Sequence, residues 1–222
     1  MSHTVSNSDT RLYRRNSFFD QILSETNRAL EVLGRSARAS RPNPAGKEVS
    51  EITADEARHA AGLMRVNHVG EICAQALYRS QAMLCKDPQA TEVLLQAAQE
   101  EVDHLAWCDD RLRELDSRPS VFNPLWYAGS FALGLLASRA GVPYNLGFMA
   151  ETERQVEEHL ESHLESLPAT DNRSRRIVEK MRDDEIEHRR TAENHGAAGL
   201  PPPVKTLMRM MSKVMTTTAY RL

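Results

Sequence analysis

Glu101-Val102-Asp103-His104 and Glu185-Ile186-Glu187-His188, two acidic segments that each end in histidine, decide the expected fold of this chain. Residues three apart share one face of a helix, so each segment directs a carboxylate and an imidazole to the same side. Glu71 lies 30 residues before the first segment, and Glu153 lies 32 residues before the second. Two Glu-x-x-His helices that face two helices with one glutamate each form a carboxylate-bridged dinuclear metal site inside a four-helix bundle.

Each half of the chain also carries a turn signal midway between its marked positions. Asp87-Pro88 lies 16 residues after Glu71, about midway to Glu101. Residues 168–172 lie about midway between Glu153 and Glu185. Because both arms of a helix pair rise about 1.5 Å per residue, a turn midway brings the two marked positions level. This repeated unit separates the two segments from a chance pair such as Glu56-x-x-His59, which has no partner glutamate at that distance.

Capping signals predict where the helices begin and end. Thr53-Ala54-Asp55-Glu56 is a capping box that opens a helix to about residue 85. Asp87 and Pro88 begin a second helix that ends near residue 116. Three further helices are expected over about 143–167, from 171 or 172 to Gly196, and after the prolines at 201–203. We also expect an amphipathic helix over 16–34, a loop over 35–50 and disorder over 1–15.

Length and composition are those of one domain, so residues 1–222 are expected to share a single core. Strand-like alternation is absent, which makes the fold class all-α. The net charge of −3 gives no reason to expect a nucleic-acid partner. Three cysteines without a Cys-x-x-Cys pair suit a reducing compartment.

Residues 119–142 are expected to form the long crossover that a bundle with parallel second and third helices needs. Residues 119–138 carry no charge, and their length would just span a bilayer. The prolines make this segment a poor transmembrane helix. Trp126 and Phe131 instead favour a segment that inserts into one leaflet of the bilayer. A buried crossover is the alternative. Residues 204–215 mix apolar and basic side chains, which suits either core packing or a second membrane-facing helix.

Residues 65–71 (RVNHVGE), both Glu-x-x-His segments and residues 123–126 (NPLW) resemble the demethoxyubiquinol hydroxylases. These are ferritin-like di-iron monooxygenases of ubiquinone biosynthesis, and the resemblance runs from about residue 16 to the C-terminus. It implies a ferritin-like four-helix bundle with extra N- and C-terminal helices. Many relatives have tyrosine after the histidine that corresponds to His159, whereas this chain has Leu160. The last four residues of the chain also match the family only in part.

The resemblance implies an O₂-dependent hydroxylation of the ring of a demethoxy polyprenyl benzoquinol at a membrane surface. It also implies two iron ions per chain. The positions of this sequence that match the family's metal ligands are Glu71, Glu101, His104, Glu153, Glu185 and His188. Four carboxylates balance two ferrous ions, which is the condition for burying the ions tolerably. Carboxylate and imidazole ligands suit iron or manganese.

The third-helix ligand must be chosen among several glutamates. Glu153 repeats the spacing of the first half and lies six residues before His159, as in the family. The other three candidates are expected on a solvated face: Glu151, Glu157 and Glu158.

Further side chains are expected around the ligands. Glu100 and Asp184 each lie four residues before a ligand histidine and could orient the imidazoles across the bundle, unless they are ordinary exposed acids. His68 and His159 are expected near the site rather than on the metal, and Cys73 is expected to be a packed apolar residue.

The expected partners are a polyprenyl quinol, O₂ and a membrane surface. Other ubiquinone-biosynthesis proteins and a second copy of the chain are compatible with this assignment. We expect a peripheral location on the cytoplasmic face of a bacterial cell membrane, with the mitochondrial inner membrane as the alternative. Two other function classes share parts of the pattern, an iron-storage ferroxidase and a non-enzymatic scaffold. An RNA-base hydroxylase would want a basic face that the net charge of −3 does not indicate.

Overall fold

The computed structural model describes residues 18–36, 38–47 and 51–222, and these residues form seven helices and no strand. The helices are α1 (Phe18–Leu33), α2 (Ala54–Leu84), α3 (Pro88–Glu114), α4 (Asn123–Ser138), α5 (Val142–Ser166), α6 (Asn172–Asn194) and α7 (Pro202–Ala219). The all-α, ferritin-like class with extra terminal helices is confirmed. The predicted disorder of residues 1–15 lies outside the described residues.

The predicted caps begin the bundle helices. Thr53 Oγ1 accepts a hydrogen bond from the Glu56 amide, while the Glu56 carboxylate accepts one from the Thr53 amide at 2.7 Å. Asp87 caps α3 through the Ala90 amide at 2.8 Å. Gly196, which follows α6, has a φ of 91°, a left-handed conformation that favours glycine. Because these signals are local, the boundaries of the bundle helices agree closely with those predicted.

The bundle consists of two helix pairs, α2 with α3 and α5 with α6, and α3 lies against α6. Two apolar clusters fill it, one on either side of its middle. One includes Met64, Trp107, Leu160 and Met181. The other includes Tyr78, Leu94, Leu146 and Ala192. On each bundle helix, the predicted ligand positions lie between the residues of these two clusters. The polar middle of the bundle is therefore closed from water at both ends.

The crossover forms helix α4, which packs along α2. Gly134 permits this close approach, since a Cβ there would lie 1.9 Å from Ser80 Oγ and 2.4 Å from the Leu77 carbonyl oxygen. Trp126 and Phe131 are partly buried in this interface rather than presented to the outside. The exposed large apolar side chains of the crossover are Val121, Phe122, Leu125 and Leu136. None of the helices in the described residues combines the length and the hydrophobicity of a transmembrane segment.

Helix α7 lies outside the bundle and is held at its C-terminal end. Arg65 Nη1 donates to the Tyr220 carbonyl at 2.9 Å, and Arg65 Nε donates to the Arg118 carbonyl at 2.8 Å. The Val121 amide donates to the Leu222 carbonyl at 3.2 Å. Most of α7 is exposed, and only its last residue, Ala219, is fully buried. These bonds tie the chain's end to the beginning of the crossover.

Candidate metal centre

The six predicted ligands come together in the buried middle of the bundle. Four helices each supply one glutamate, and α3 and α6 add a histidine. The side chains form two groups whose donor atoms lie within 4.8 Å of one another. The first group is Glu71, Glu101, His104 and Glu185, and the second is Glu101, Glu153, Glu185 and His188. Glu101 and Glu185 belong to both groups and would therefore be shared if each group held an ion.

Both imidazoles turn Nδ1 toward the carboxylates. His104 Nδ1 lies 2.9 Å from Glu101 Oε2 and 3.3 Å from Glu185 Oε1. His188 Nδ1 lies 3.4 Å from Glu185 Oε2 and 3.6 Å from Glu153 Oε1. One ring nitrogen of each histidine is therefore available to a metal ion, and the other points away from the centre.

The outward nitrogens contact the two acids expected to orient them. His104 Nε2 lies 3.0 Å from Asp184 Oδ2, and His188 Nε2 lies 3.2 Å from Glu100 Oε2. Each acid belongs to the opposite Glu-x-x-His helix, so the two contacts cross between α3 and α6. The expected cross-bundle contacts are thus present. Such partners set the tautomer and orientation of metal-binding imidazoles.

The carboxylates of the centre are crowded and far from water. Burial raises the pKa of Glu71 and of Glu153 well above the usual range. The charges of Glu101 and Glu185 add to the effect on Glu71, and the charge of Glu185 adds to the effect on Glu153. Burial alone would lower the pKa of His104, but the surrounding carboxylates, first that of Glu101, outweigh it and raise that pKa. The site therefore favours positive charge among its carboxylates.

Several carboxylate oxygens of the centre accept no hydrogen bond from the described residues. Glu153 Oε2 is buried and accepts no hydrogen bond there, while Glu185 Oε1 and Glu101 Oε1 have only loose contacts, at 3.3 Å from His104 Nδ1 and 3.5 Å from His188 Nδ1. Buried carboxylate oxygens without partners are costly, and divalent cations would satisfy them. The donor set, carboxylate oxygen and imidazole nitrogen without thiolate, fits iron or manganese.

The other acids of α5 stand apart from both donor groups. Glu157 accepts a hydrogen bond from Arg189 at 3.1 Å, and Glu158 is exposed. The expectation of a solvated face is wrong for Glu151, which is 5% exposed. Its carboxylate contacts Arg154 and lies 3.1 Å from Lys205 Nζ, because α7 covers this side of α5.

The neighbouring histidines lie outside the two donor groups, as expected. Burial lowers the pKa of His68 to about 4, and its Nε2 lies 4.0 Å from Asp109. His159 packs against His163 with ring centroids 4.0 Å apart. Cys73 is partly buried beside Met215, with 3.4 Å between the two sulfurs.

Two residues at the centre were not predicted. Tyr78 donates its hydroxyl hydrogen to Glu153 Oε1 at 2.6 Å. It lies seven residues after Glu71, two helical turns on the same face, and this spacing could have indicated it. Arg41 contacts Asp184 from an irregular segment, and no pattern in the sequence marks it.

A cavity of about 580 Å³ extends from the centre toward the surface between α2, α4, α5 and α7. Glu71 is part of its wall, so the cavity reaches one of the two donor groups. The rest of the wall is mainly apolar. Two buried polar atoms of lining residues, Asn67 Oδ1 and His159 Nε2, have no hydrogen-bond partner among the described residues. Exposed apolar side chains also contribute to the lining: Leu125, Val204, Leu207 and Met211.

Known proteins resemble the chain over nearly its whole length. The family model described as "Ubiquinone biosynthesis protein COQ7" matches residues 58–219. A 3-demethoxyubiquinol 3-hydroxylase of Bordetella avium is 66% identical over 203 residues, which cover 91% of this chain and 94% of that protein. A protein of the same name in Bordetella parapertussis is 62% identical, over 98% of this chain and 99% of that protein. Another in Cupriavidus metallidurans is 55% identical, over 91% of this chain and 100% of that protein. The chain belongs to the COQ7 family of ubiquinone biosynthesis proteins.

Proposed function

We propose that this protein is a 3-demethoxyubiquinol 3-hydroxylase, an O₂-dependent di-iron monooxygenase that hydroxylates the ring of a demethoxy polyprenyl benzoquinol. The observation that carries the proposal is the apolar cavity that ends at Glu71, a member of the buried donor cluster. A cavity of this kind suits a hydrophobic aromatic substrate that binds beside a metal pair. The names of the close relatives support the same reaction.

Two iron ions would be held by the two donor groups, with Glu101 and Glu185 shared between them. Four carboxylates and two neutral imidazoles would then balance the charge of two ferrous ions. When bound, the iron pair supplies the activation of O₂. The chain's own part is to present Nδ1 of each histidine, to orient both rings through Asp184 and Glu100, and to exclude water with the two apolar clusters.

The quinol ring would lie at the inner end of the cavity, beside Glu71. Asn67 Oδ1 can accept a hydrogen bond from a ring hydroxyl, and His159 Nε2 can make a second one. Both atoms are buried without partners in the described residues, which is costly unless a ligand satisfies them. The polyprenyl tail would follow the apolar wall outward between α4 and α7.

The outer surface of this cavity supports a peripheral membrane location. Leu125 and Leu207 are 62% and 57% exposed and also line the cavity. Arg209 and Lys213 are exposed on α7 and would be attracted to anionic lipid. A polyprenyl quinol resides in the bilayer, so this surface would receive it there. The proposed location is the cytoplasmic face of a bacterial cell membrane, and the bacterial origin of the named relatives supports a bacterial rather than a mitochondrial membrane.

The test is reconstitution of the full chain with ferrous iron under anaerobic conditions, followed by O₂ and a demethoxyquinol. Mass analysis should find a product with one added oxygen atom. Glu71→Ala and His188→Ala should abolish this product while the helical content stays unchanged, and Glu157→Ala should retain it. Consumption of O₂ that yields only ferric mineral, with no hydroxylated quinol, would replace this function with iron storage.

A further inference from the structure

Arg41 joins the two Glu-x-x-His helices from outside the bundle. It lies in the irregular part of the chain between α1 and α2. Its Nε donates to Asp103 Oδ2 at 2.5 Å, and its Nη1 donates to Asp184 Oδ2 at 2.9 Å. The guanidinium carbon lies 5.0 Å from the centroid of the Trp107 ring. The Ser40 amide donates to the other oxygen of Asp103 at 2.6 Å, which holds the segment against α3.

Arg41 acts on the metal centre through Asp184. The Asp184 oxygen that accepts from Arg41 also contacts His104 Nε2 at 3.0 Å. The second oxygen of Asp184 accepts from Lys180 at 2.6 Å. Both oxygens are therefore engaged, and Asp184 is only 4% exposed. These contacts hold the carboxylate and, through it, support the His104 ring.

The charges of this outer layer balance without the metal ligands. Asp103 and Asp184 supply two negative charges, and Arg41 and Lys180 supply two positive ones. The layer therefore adds no net charge beside the four glutamates and two divalent ions.

The partner of His188 is held much less firmly. Glu100 lies 3.2 Å from His188 Nε2, and its side chain is 30% exposed. Glu100 Oε1 accepts a hydrogen bond from Gln96 at 3.2 Å, and Arg41 Nη1 approaches Glu100 Oε2 only to 3.9 Å. The two halves of the centre therefore share their ligand types but differ in how rigidly the imidazole is supported.

We propose that Arg41 is a positioning residue that makes the ion position at Glu71 and His104 the tighter of the two. The proposal rests on the metal centre of the proposed function. Loss of an outer partner of a metal ligand typically costs ~10–100-fold in metal affinity, so unequal outer support produces unequal affinities. The tighter position is the one whose glutamate lines the cavity. The ion beside the substrate is thus retained, and the ion at Glu153 and His188 exchanges first.

The test is a titration of the metal-free full chain with Mn²⁺, in which free Mn²⁺ is measured by its electron paramagnetic resonance signal. The wild-type chain should bind two ions in two steps that differ at least ~10-fold in affinity. Arg41→Gln should weaken the first step by ~10–100-fold and bring the two steps together. Glu100→Gln should weaken only the second step. Glu71→Ala should remove the tighter step, and Glu153→Ala should leave it.

Two further variants separate positioning from folding. Arg35 Nε donates to Asp109 Oδ1 of α3 at 2.7 Å. Arg35→Gln removes this second arginine contact to α3 and should leave both Mn²⁺-binding steps unchanged. Arg41→Gln with Asp103→Asn removes the clamp without stranding the buried charge of Asp103, and should reproduce the loss of the tighter step. Equal affinities in the wild-type chain, or unchanged steps in the double variant, would overturn this inference alone. A chain that binds no ion would overturn the metal centre itself.

Discussion

Glu101 and Glu185 differ from the other ligand residues because each belongs to both donor groups. We therefore predict that Glu101→Ala or Glu185→Ala lowers the iron content from about two ions per chain to nearly none. Glu71→Ala and Glu153→Ala should each remove about one ion, since each serves one group. Metal analysis after anaerobic loading checks the four variants.

Glu157→Ala is the matched control on α5, because its carboxylate pairs with Arg189 and lies outside both donor groups. It should keep both ions. Full occupancy in Glu185→Ala would rule out the bridging role. Loss of iron from Glu157→Ala, with Glu153→Ala unaffected, would show that the third-helix ligand is misassigned.

His163 couples the stability of the fold to pH. Burial, and then the nearby His159, lower the pKa of His163 to about 3, whereas the unfolded chain has an ordinary histidine pKa. The unfolded state therefore gains the proton first as the pH falls. Stability is fully present above about pH 6.5 and is lost progressively toward the folded pKa, by about 2 kcal/mol at pH 5.

His163→Leu should consequently lose less stability than the wild-type chain between about pH 7 and about pH 5. Thermal unfolding of the metal-free protein at both pH values measures the difference. His195→Leu, at an exposed position after α6, should behave like the wild-type chain. An equal loss in His163→Leu and the wild-type chain would show that this imidazole does not drive the acid sensitivity.

Helix α4 offers a comparison of two glycines in one element. A Cβ on Gly134 would meet Ser80 and the backbone of Leu77, so Gly134→Ala should force α4 away from α2. We expect a cost of ~1–3 kcal/mol or more, typical of overpacking. A Cβ on Gly129 would meet nothing within 4 Å. Gly129→Ala should therefore stabilise the helix by up to ~1 kcal/mol through helix propensity.

Urea unfolding of the two variants checks this pair. Similar stability changes in both would show that α4 does not pack as closely on α2 as the Gly134 contacts indicate. A larger loss for Gly134→Ala would identify the crossover as part of the packed structure rather than a loose connection.

At the scale of the whole molecule, the proposed binding to a bilayer depends on the exposed apolar side of α7. Met210 and Val214 are 62% and 61% exposed and lie one helical turn apart. Full burial in lipid would contribute up to ~1.5–3 kcal/mol for each. Met210→Ser with Val214→Ser should therefore weaken vesicle binding at least ~10-fold while the iron content stays unchanged.

Co-sedimentation with vesicles measures this binding. Anionic vesicles should bind the wild-type chain more tightly than neutral ones, because Arg209 and Lys213 are exposed on the same helix. Leu95→Ser, which changes an exposed leucine of α3, is the control and should bind like the wild-type chain. No binding of the wild-type chain to either vesicle type would reject the membrane-surface proposal.

The sequence by itself determined the features that depend on neighbours along one helix. The Glu-x-x-His spacing places both ligands of α3 and of α6 on one face, and the residue types at Thr53, Asp87 and Gly196 mark helix ends. These relations hold wherever the helix lies. The matched spacings also identified which glutamate of α5 joins the cluster, because two antiparallel pairs of equal length bring equal positions level.

Only the tertiary structure decided the features that join segments far apart in the chain. Arg41 reaches Asp184 across 143 residues, and no periodicity predicts that contact. Glu151 is buried because Lys205 of α7 covers it, and Trp126 is partly buried because α4 lies along α2. The same bundle geometry places Glu101 and Glu185 in both donor groups. Such contacts depend on how the helices pack against each other, and the residues next to each position in the sequence do not determine that packing.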